Sequence, residues 1–325
     1  MPRRRVAVAL LPPADLSRSV QTLRRALADP RLEVLPPHLT LVPPINVTDE
    51  AFAQGRALLR SVASGSEPFE LEVGPASTFA PVTPTVHLEL GGDTEPLHVL
   101  RDRLRSGPFE RPDGRPFHPH VTLREELVDP PPAVAAAVLA GRLGTWLVDR
   151  VQLLEQRRDA ADRRCWVPVA EEPFGPAAVV GRGGVELELR ATTMLPEETA
   201  VLLEAPAPPG DPFVGGLVVT ASRPGAHPCD PPLGVVAGTV PDGQASGVAR
   251  GEEHVAVLHG VVVDPAERGL GIGRHLLRRW CHEAARHDVR VALSSSTTDD
   301  ATRGLLESDG FVAVGSTRVR QLVAE

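Results

Sequence analysis

The chain contains no lysine and no tyrosine, and all 34 of its basic residues are arginine. Without a lysine it cannot build a Walker-type phosphate loop, which excludes the P-loop nucleotidases. Net charge is −8, so the uniform use of arginine reads as compositional bias and not as a nucleic-acid signature. By count, residues 1–175 carry 21 Arg against 23 acids (−2), and residues 176–325 carry 13 against 19 (−6). Neither half is a bulk polyanion binder, although a few local arginines can still steer a small anionic ligand. The only three cysteines, Cys165, Cys229 and Cys281, are far apart and follow no CxxC or Cys/His spacing. That argues against structural zinc and a disulfide framework and suits a reducing cytoplasm. Long apolar runs are missing too. The early stretch Val6 to Leu11, behind Arg3-Arg4-Arg5, stops after six residues at Pro12-Pro13. It reads as a first strand, so a cytoplasmic protein with no membrane partner is expected.

What is present is enough for two cores. A chain of 325 residues with 42% hydrophobic and 23% charged content is a globular protein of about two domains. Periodicity is lost and Pro and Gly gather from Glu171 to Gly184, which places a linker there and domains at 1–175 and 176–325. In the first, Leu16, Val20, Leu23 and Leu27 recur at helical spacing. Thr48 stands as the N-cap of a helix carrying Phe52, Leu58, Leu59 and Val62, and Thr94 as the cap of one carrying Leu97, Leu100 and Leu104. Phe69-Leu71-Val73 and Val86-Leu88-Leu90 alternate as strands. Trp146 to Leu154 and Cys165 to Val169 read as the two strands of a hairpin.

The chemistry lies in a repeat. Pro37-His38-Leu39-Thr40-Leu41 recurs 82 residues later as Pro119-His120-Val121-Thr122-Leu123. Side chains alternate across a strand, so each copy presents a His and a Thr together on one face and two apolar residues on the other. Two such strands facing each other enclose a pair of groups titrating near neutrality and two neutral donors, suited to acid–base chemistry at a phosphodiester. His87, His98 and His118 stand outside the repeat and read as ordinary packing or surface histidines, with His87 placed to line the cleft.

His38-Leu-Thr-Leu41 and His120-Val-Thr-Leu123 resemble the paired HxTx motifs of the 2H phosphoesterases, the RNA 2′,3′-cyclic phosphodiesterase / 2′-5′ RNA ligase family, over roughly residues 3–175. The order of elements agrees, including Arg115-Pro-Phe-His-Pro before the second motif. The resemblance implies a bilobal α+β domain acting on RNA ends or cyclic nucleotides. It implies metal-free opening of a 2′,3′-cyclic phosphate, typically to a 2′-phosphate. One of His38 and His120 activates water and the other protonates the leaving ribose oxygen, while Thr40 and Thr122 hold phosphoryl oxygens. The family arginine that follows the second motif by two residues is here one residue early, at Arg124.

In the second half, strands are expected at Val185 to Arg190, Val214 to Thr220, Leu233 to Val240 and His254 to Val263. The last runs into Asp264-Pro-Ala-Glu-Arg-Gly-Leu-Gly-Ile-Gly-Arg274, and Ile272, Leu276, Leu277, Trp280 and Ala284 then mark an amphipathic helix. Strand, glycine-rich turn and helix N-terminus together make an anion cradle. Gly269, Gly271 and Gly273 give GxGxG, not the GxGxxG of dinucleotide folds. Arg268-Gly-Leu-Gly271-Ile-Gly273 resembles the R/QxxGxG/A motif of the GNAT acetyltransferases. So does the sequel: a strand at Val289 to Leu293, a helix capped around Thr298-Asp299, and Leu305 to Phe311. The resemblance implies an α/β domain with a mixed central sheet. It also implies acetyl-CoA held by Val263, Arg268, Gly269, Leu270, Gly271, Ile272, Gly273 and Arg274, and a small-molecule or protein amine as acceptor. Leu306 occupies the position where the family often has a thiolate-protonating tyrosine. Protonation then falls to water or to a group such as His254 or His259, with Glu252 or Glu253 as candidate bases, and the proline-rich Ala191 to Phe213 implies reduced acceptor-binding helices. A rival reading makes one domain a binding module, sensing acetyl-CoA or holding a nucleotide end.

Overall fold

Val6, Val8 and Leu10 alternate with small residues, and the strand they form, β1 (Arg4–Leu10), is buried on both faces from Val6 onward. The computed structural model describes residues 3–322 except 113, 115, 127–142, 183–184, 200–201, 203–215, 241–254, 288, 296–299 and 316. The chain divides into units Met1–Gly175 and Pro176–Glu325.

The first unit continues with α1 (Ala14–Ala26), β2 (Leu39–Val47), α2 (Asp49–Ser64), β3 (Phe69–Thr78), β4 (Val86–Gly92), α3 (Glu95–Leu104), β5 (His120–Arg124), β6 (Gly144–Val148), β7 (Arg150–Arg158) and β8 (Arg164–Pro173). Two antiparallel sheets result, ordered β2-β1-β7-β8 and β5-β4-β3-β6, and one continuous core joins Leu10 and Leu41 of the first to Leu71, Leu88 and Val121 of the second. The helices bury the apolar stripes expected of them, with Leu97, Leu100 and Leu104 of α3 all inward. Thr48 caps α2 by accepting from the Ala51 amide at 3.2 Å. Thr94 makes no such bond; Asp93 accepts from the Glu95 amide instead.

The stretch Trp146 to Leu154, expected as one strand, is two. β6 pairs with β3, and after the single residue Asp149 the chain enters the other sheet, where β7 lies between β1 and β8. An interior strand buried on both faces loses the period-2 signal that would have marked the boundary. The expected linker also contains structure, since β9 (Ala178–Arg182) pairs with β10 (Val185–Thr192).

Beyond β10 come β11 (Gly216–Ser222), β12 (Gly234–Thr239), β13 (Val255–Val263), α4 (Ile272–Arg286), β14 (Val291–Ser295), α5 (Asp300–Ser308), β15 (Val312–Val314) and β16 (Thr317–Gln321). The eight-stranded sheet runs β15-β16-β14-β13-β12-β11-β10-β9. It is mixed, with β13 and β14 parallel across the α4 crossover. The expected cap at Thr298-Asp299 lies outside the described residues. α4 buries Leu276, Leu277, Trp280 and Ala284 against the sheet, and the Trp280 indole donates to the Leu217 carbonyl at 3.0 Å. Gly238 makes this contact possible: a Cβ there would collide with the Val257 carbonyl and the Trp280 ring, whose Cε2 would lie at 2.9 Å. Gly238→Ala is therefore expected to lower stability by about 1–3 kcal/mol through overpacking, read as a reduced unfolding midpoint; an unchanged midpoint would show that the contact yields. Among the described residues, no helix is long and apolar enough to cross a membrane.

Candidate active site

β2 and β5 are each the outer strand of their sheet, and each begins at a His-x-Thr motif. His120 opens β5 and His38 stands one residue ahead of β2. Proline comes before each histidine, and a residue preceding proline is held extended. The carbonyl of that residue meets the imidazole: His38 Nδ1 lies 2.8 Å from the Pro36 carbonyl and His120 Nδ1 lies 2.7 Å from the His118 carbonyl. A carbonyl only accepts, so Nδ1 carries the proton in both rings. Nε2 is then the atom left to take or give one. Burial pushes His38 down to about 4, against the pull of the Pro36 carbonyl, and the nearby Arg24 and His120 push the same way. His120 is lowered as well, again mainly by burial.

Thr40, His120 and Thr122 line a cavity of about 770 Å³; His38 is not among its lining residues, but Thr40 of the same motif is, and the His120 charge acts on the His38 imidazole. In the register of β4 with β5, His87 lies opposite Thr122 and Glu89 opposite His120, so the wall continues the motif's face. His87 is 1% exposed, stacked on Phe79 with ring centroids 3.8 Å apart. Burial, then the charges of His120 and His118, lowers it to about 4. His118, read from the sequence as ordinary, also lines the cavity. So do Arg101, Arg105 and Arg111, which the sequence did not single out. His87 lines the cavity as expected, and its alternation with Leu88 and Leu90 is the signal that could also have found Glu89. Arg124 points elsewhere, donating to the Leu27 and Ala28 carbonyls at the end of α1.

In the second unit Val263 ends β13, and the chain reaches α4 through Arg268, Gly269, Leu270 and Gly271. Gly269 and Gly271 adopt left-handed φ values of 85° and 83°, and a Cβ on either would meet open space. The first bonds at the start of α4 run from the Arg274 and His275 amides to the Gly271 carbonyl, leaving the earlier amides as those a helix does not satisfy internally. The loop thus fits an anionic group such as a pyrophosphate. The Ile272 side chain is in the core, so only its backbone is available to the loop. Arg268 Nε lies 3.4 Å from the Val263 carbonyl and Arg274 reaches Ser308. Leu306 is fully buried in the same core, so that position packs the unit and faces no site. His259 is exposed on β13, whereas Glu252, Glu253 and His254 lie outside the described residues.

The family model of the 2′-5′ RNA ligase superfamily matches residues 12–160. A protein of Oceanobacillus iheyensis with a provisional phosphoesterase name is 32% identical over 123 residues, 37% of this chain and 69% of that protein. A similarly named protein of Halalkalibacterium halodurans is 30% identical over 158 residues, 46% of this chain and 87% of its own length. The chain belongs to the 2′-5′ RNA ligase superfamily. Both motifs of this superfamily member fall within the matched stretch. The solved structure of Escherichia coli LigT with 3′-AMP aligns over 53% of the chain and 99% of its own length, at 22% identity and a TM-score of 0.42. The acetyltransferase (GNAT) family model matches residues 208–311, so a GNAT segment follows the phosphoesterase one.

Proposed function

We propose that the first unit hydrolyses 2′,3′-cyclic phosphodiesters on RNA ends or nucleotides without a metal ion. The matched anchoring of the two imidazoles supports this: each Nδ1 is tied back to a carbonyl, so each Nε2 is free for proton transfer. A neutral Nε2 takes a proton from water as its oxygen bonds to phosphorus. The Nε2–H of the other, protonated ring gives its proton to the ribose oxygen as the P–O bond breaks. The products are a phosphomonoester and a free hydroxyl, and the two rings return to their starting states by exchange with solvent. Thr40 and Thr122 donate to the non-bridging oxygens. Turnover of 2′,3′-cyclic nucleotides and cyclic-phosphate-ended RNA by the full-length protein tests this, and activity should survive EDTA. No turnover, or loss of turnover on chelation, would overturn it.

For the second unit the left-handed glycines opening into free space at the head of α4 favour acetyl-CoA binding, with the backbone of Arg268 to Gly273 holding the pyrophosphate. Bound acetyl-CoA would supply an activated acetyl thioester for an amine. With Leu306 in the core, no acid stands at that position, so slow transfer or sensing is the expected behaviour. Gly271→Val forces an L-residue into a left-handed conformation and fills the cradle. It should weaken acetyl-CoA binding to the full-length protein by about five- to thirtyfold in calorimetry, since one left-handed residue costs roughly 1–2 kcal/mol. Wild-type protein that takes up no acetyl-CoA would reject the reading.

A further inference from the structure

His87 and Glu89 project from alternate positions of β4, and His118 stands just ahead of β5. Each offers one donor atom, and the three atoms lie within 4.8 Å of one another. Neither role assigned to the cavity uses these three side chains. His87 carries an independent sign of a missing ligand: it is 1% exposed, and neither of its ring nitrogens has a hydrogen-bond partner. The Thr85 backbone lies beside the ring but outside hydrogen-bonding geometry. Buried polar groups are nearly always paired, so buried ring nitrogens without a partner, on a residue that lines a cavity, call for an explanation.

We propose that His87, Glu89 and His118 bind a divalent transition-metal ion, Zn²⁺ in particular. Two imidazoles and one carboxylate form the donor set of an open zinc site, which leaves a fourth position for water or a phosphate oxygen. Imidazole ligands favour Zn²⁺, Co²⁺, Ni²⁺ or Cu²⁺ over Mg²⁺ and Ca²⁺, which prefer all-oxygen shells. Exposed His118 gives the ion a way in, and buried His87 closes the inner side. The His118 carbonyl also anchors His120, so the ion would sit on the residue that orients a motif imidazole. The three side chains line the same cavity as the motif residues, but the hydrolysis proposed above uses none of them, so the two proposals stand or fall independently.

The experiment is titration of metal-stripped, full-length protein with Co²⁺, followed by the visible absorption of a low-coordinate site, with Zn²⁺ added afterwards as competitor. One equivalent of Co²⁺ should give a saturable band that Zn²⁺ abolishes and Mg²⁺ leaves alone. His118→Ala, at an exposed position, and Glu89→Gln should each weaken Co²⁺ binding at least about tenfold. His87→Ala should do the same if its far-ultraviolet dichroism shows it folded. A wild-type protein without a saturable band, or a band that persists unchanged in His118→Ala, would overturn the proposal.

Discussion

Replacing His38 or His120 with alanine is expected to slow hydrolysis of a 2′,3′-cyclic phosphodiester by on the order of 10²–10⁴, the loss attached to a missing general acid or base. Each substitution removes an Nε2 whose partner nitrogen is bound to a backbone carbonyl. Because the two act in one proton relay, the double variant should lose little more than the worse single variant. Thr40→Ala and Thr122→Ala should be milder, each removing a neutral donor and leaving the relay intact. Exposed His282 on α4, in the other unit, serves as the control, and His282→Ala should hydrolyse at the wild-type rate. Full activity in the His38/His120 double variant would remove these residues from the reaction.

The second large effect is on pH dependence. Reaction needs one imidazole neutral and the other protonated, and kcat/KM reports the free protein. His38 is held to about 4 and His120 is also lowered. His38 is thus neutral over nearly the whole working range and suits the base. The acid also titrates below 6.5, so its protonated fraction falls about tenfold per pH unit above that value. kcat/KM should peak on the acid side of neutrality and drop by roughly 10² between pH 6.5 and 8.5. A profile level across that interval would exclude the pair as acid and base. Stability moves the opposite way. The unfolded chain takes up a proton on His38 near 6.5 that the folded chain refuses until about 4, so this contribution is present above 6.5 and lost as pH falls toward 4. At full size it is about 3 kcal/mol, at 1.36 kcal/mol per unit.

The repeated His-x-Thr phase was legible because it rests on two strand periods that local sequence controls, and the amphipathic helices for the same reason. The loop from Arg268 to Gly273 was legible because left-handed turns demand glycine. What escaped depends on partners distant in the chain. The change of sheet at Asp149 is decided by which neighbours β6 and β7 find, and β9 exists only because β10 pairs with it. Glu89 became part of the cavity wall through its register opposite His120, and Arg124 left it by finding the end of α1. Leu306 was compared with a tyrosine by spacing alone; burial decides its role.

The one-residue step at Asp149 also makes a mechanical joint. Counted along the sheets, β5 lies three strands from β6 and β2 two strands from β7, arms of roughly 14 Å and 10 Å at about 4.8 Å per strand. A turn of about 5° at the joint would swing the longer arm's tip by roughly 1 Å, a displacement that can cost ~10² in rate. The joint is braced accordingly. Both Asp149 carboxylate oxygens accept from Arg150 at 2.8 Å, Arg150 also holds Glu171 at 3.0 Å, and the Asp149 carbonyl accepts from the Phe174 amide at 2.7 Å. The two edges therefore behave as fixed jaws whose gauge is set at the far ends of their sheets, and not as a clamp that closes.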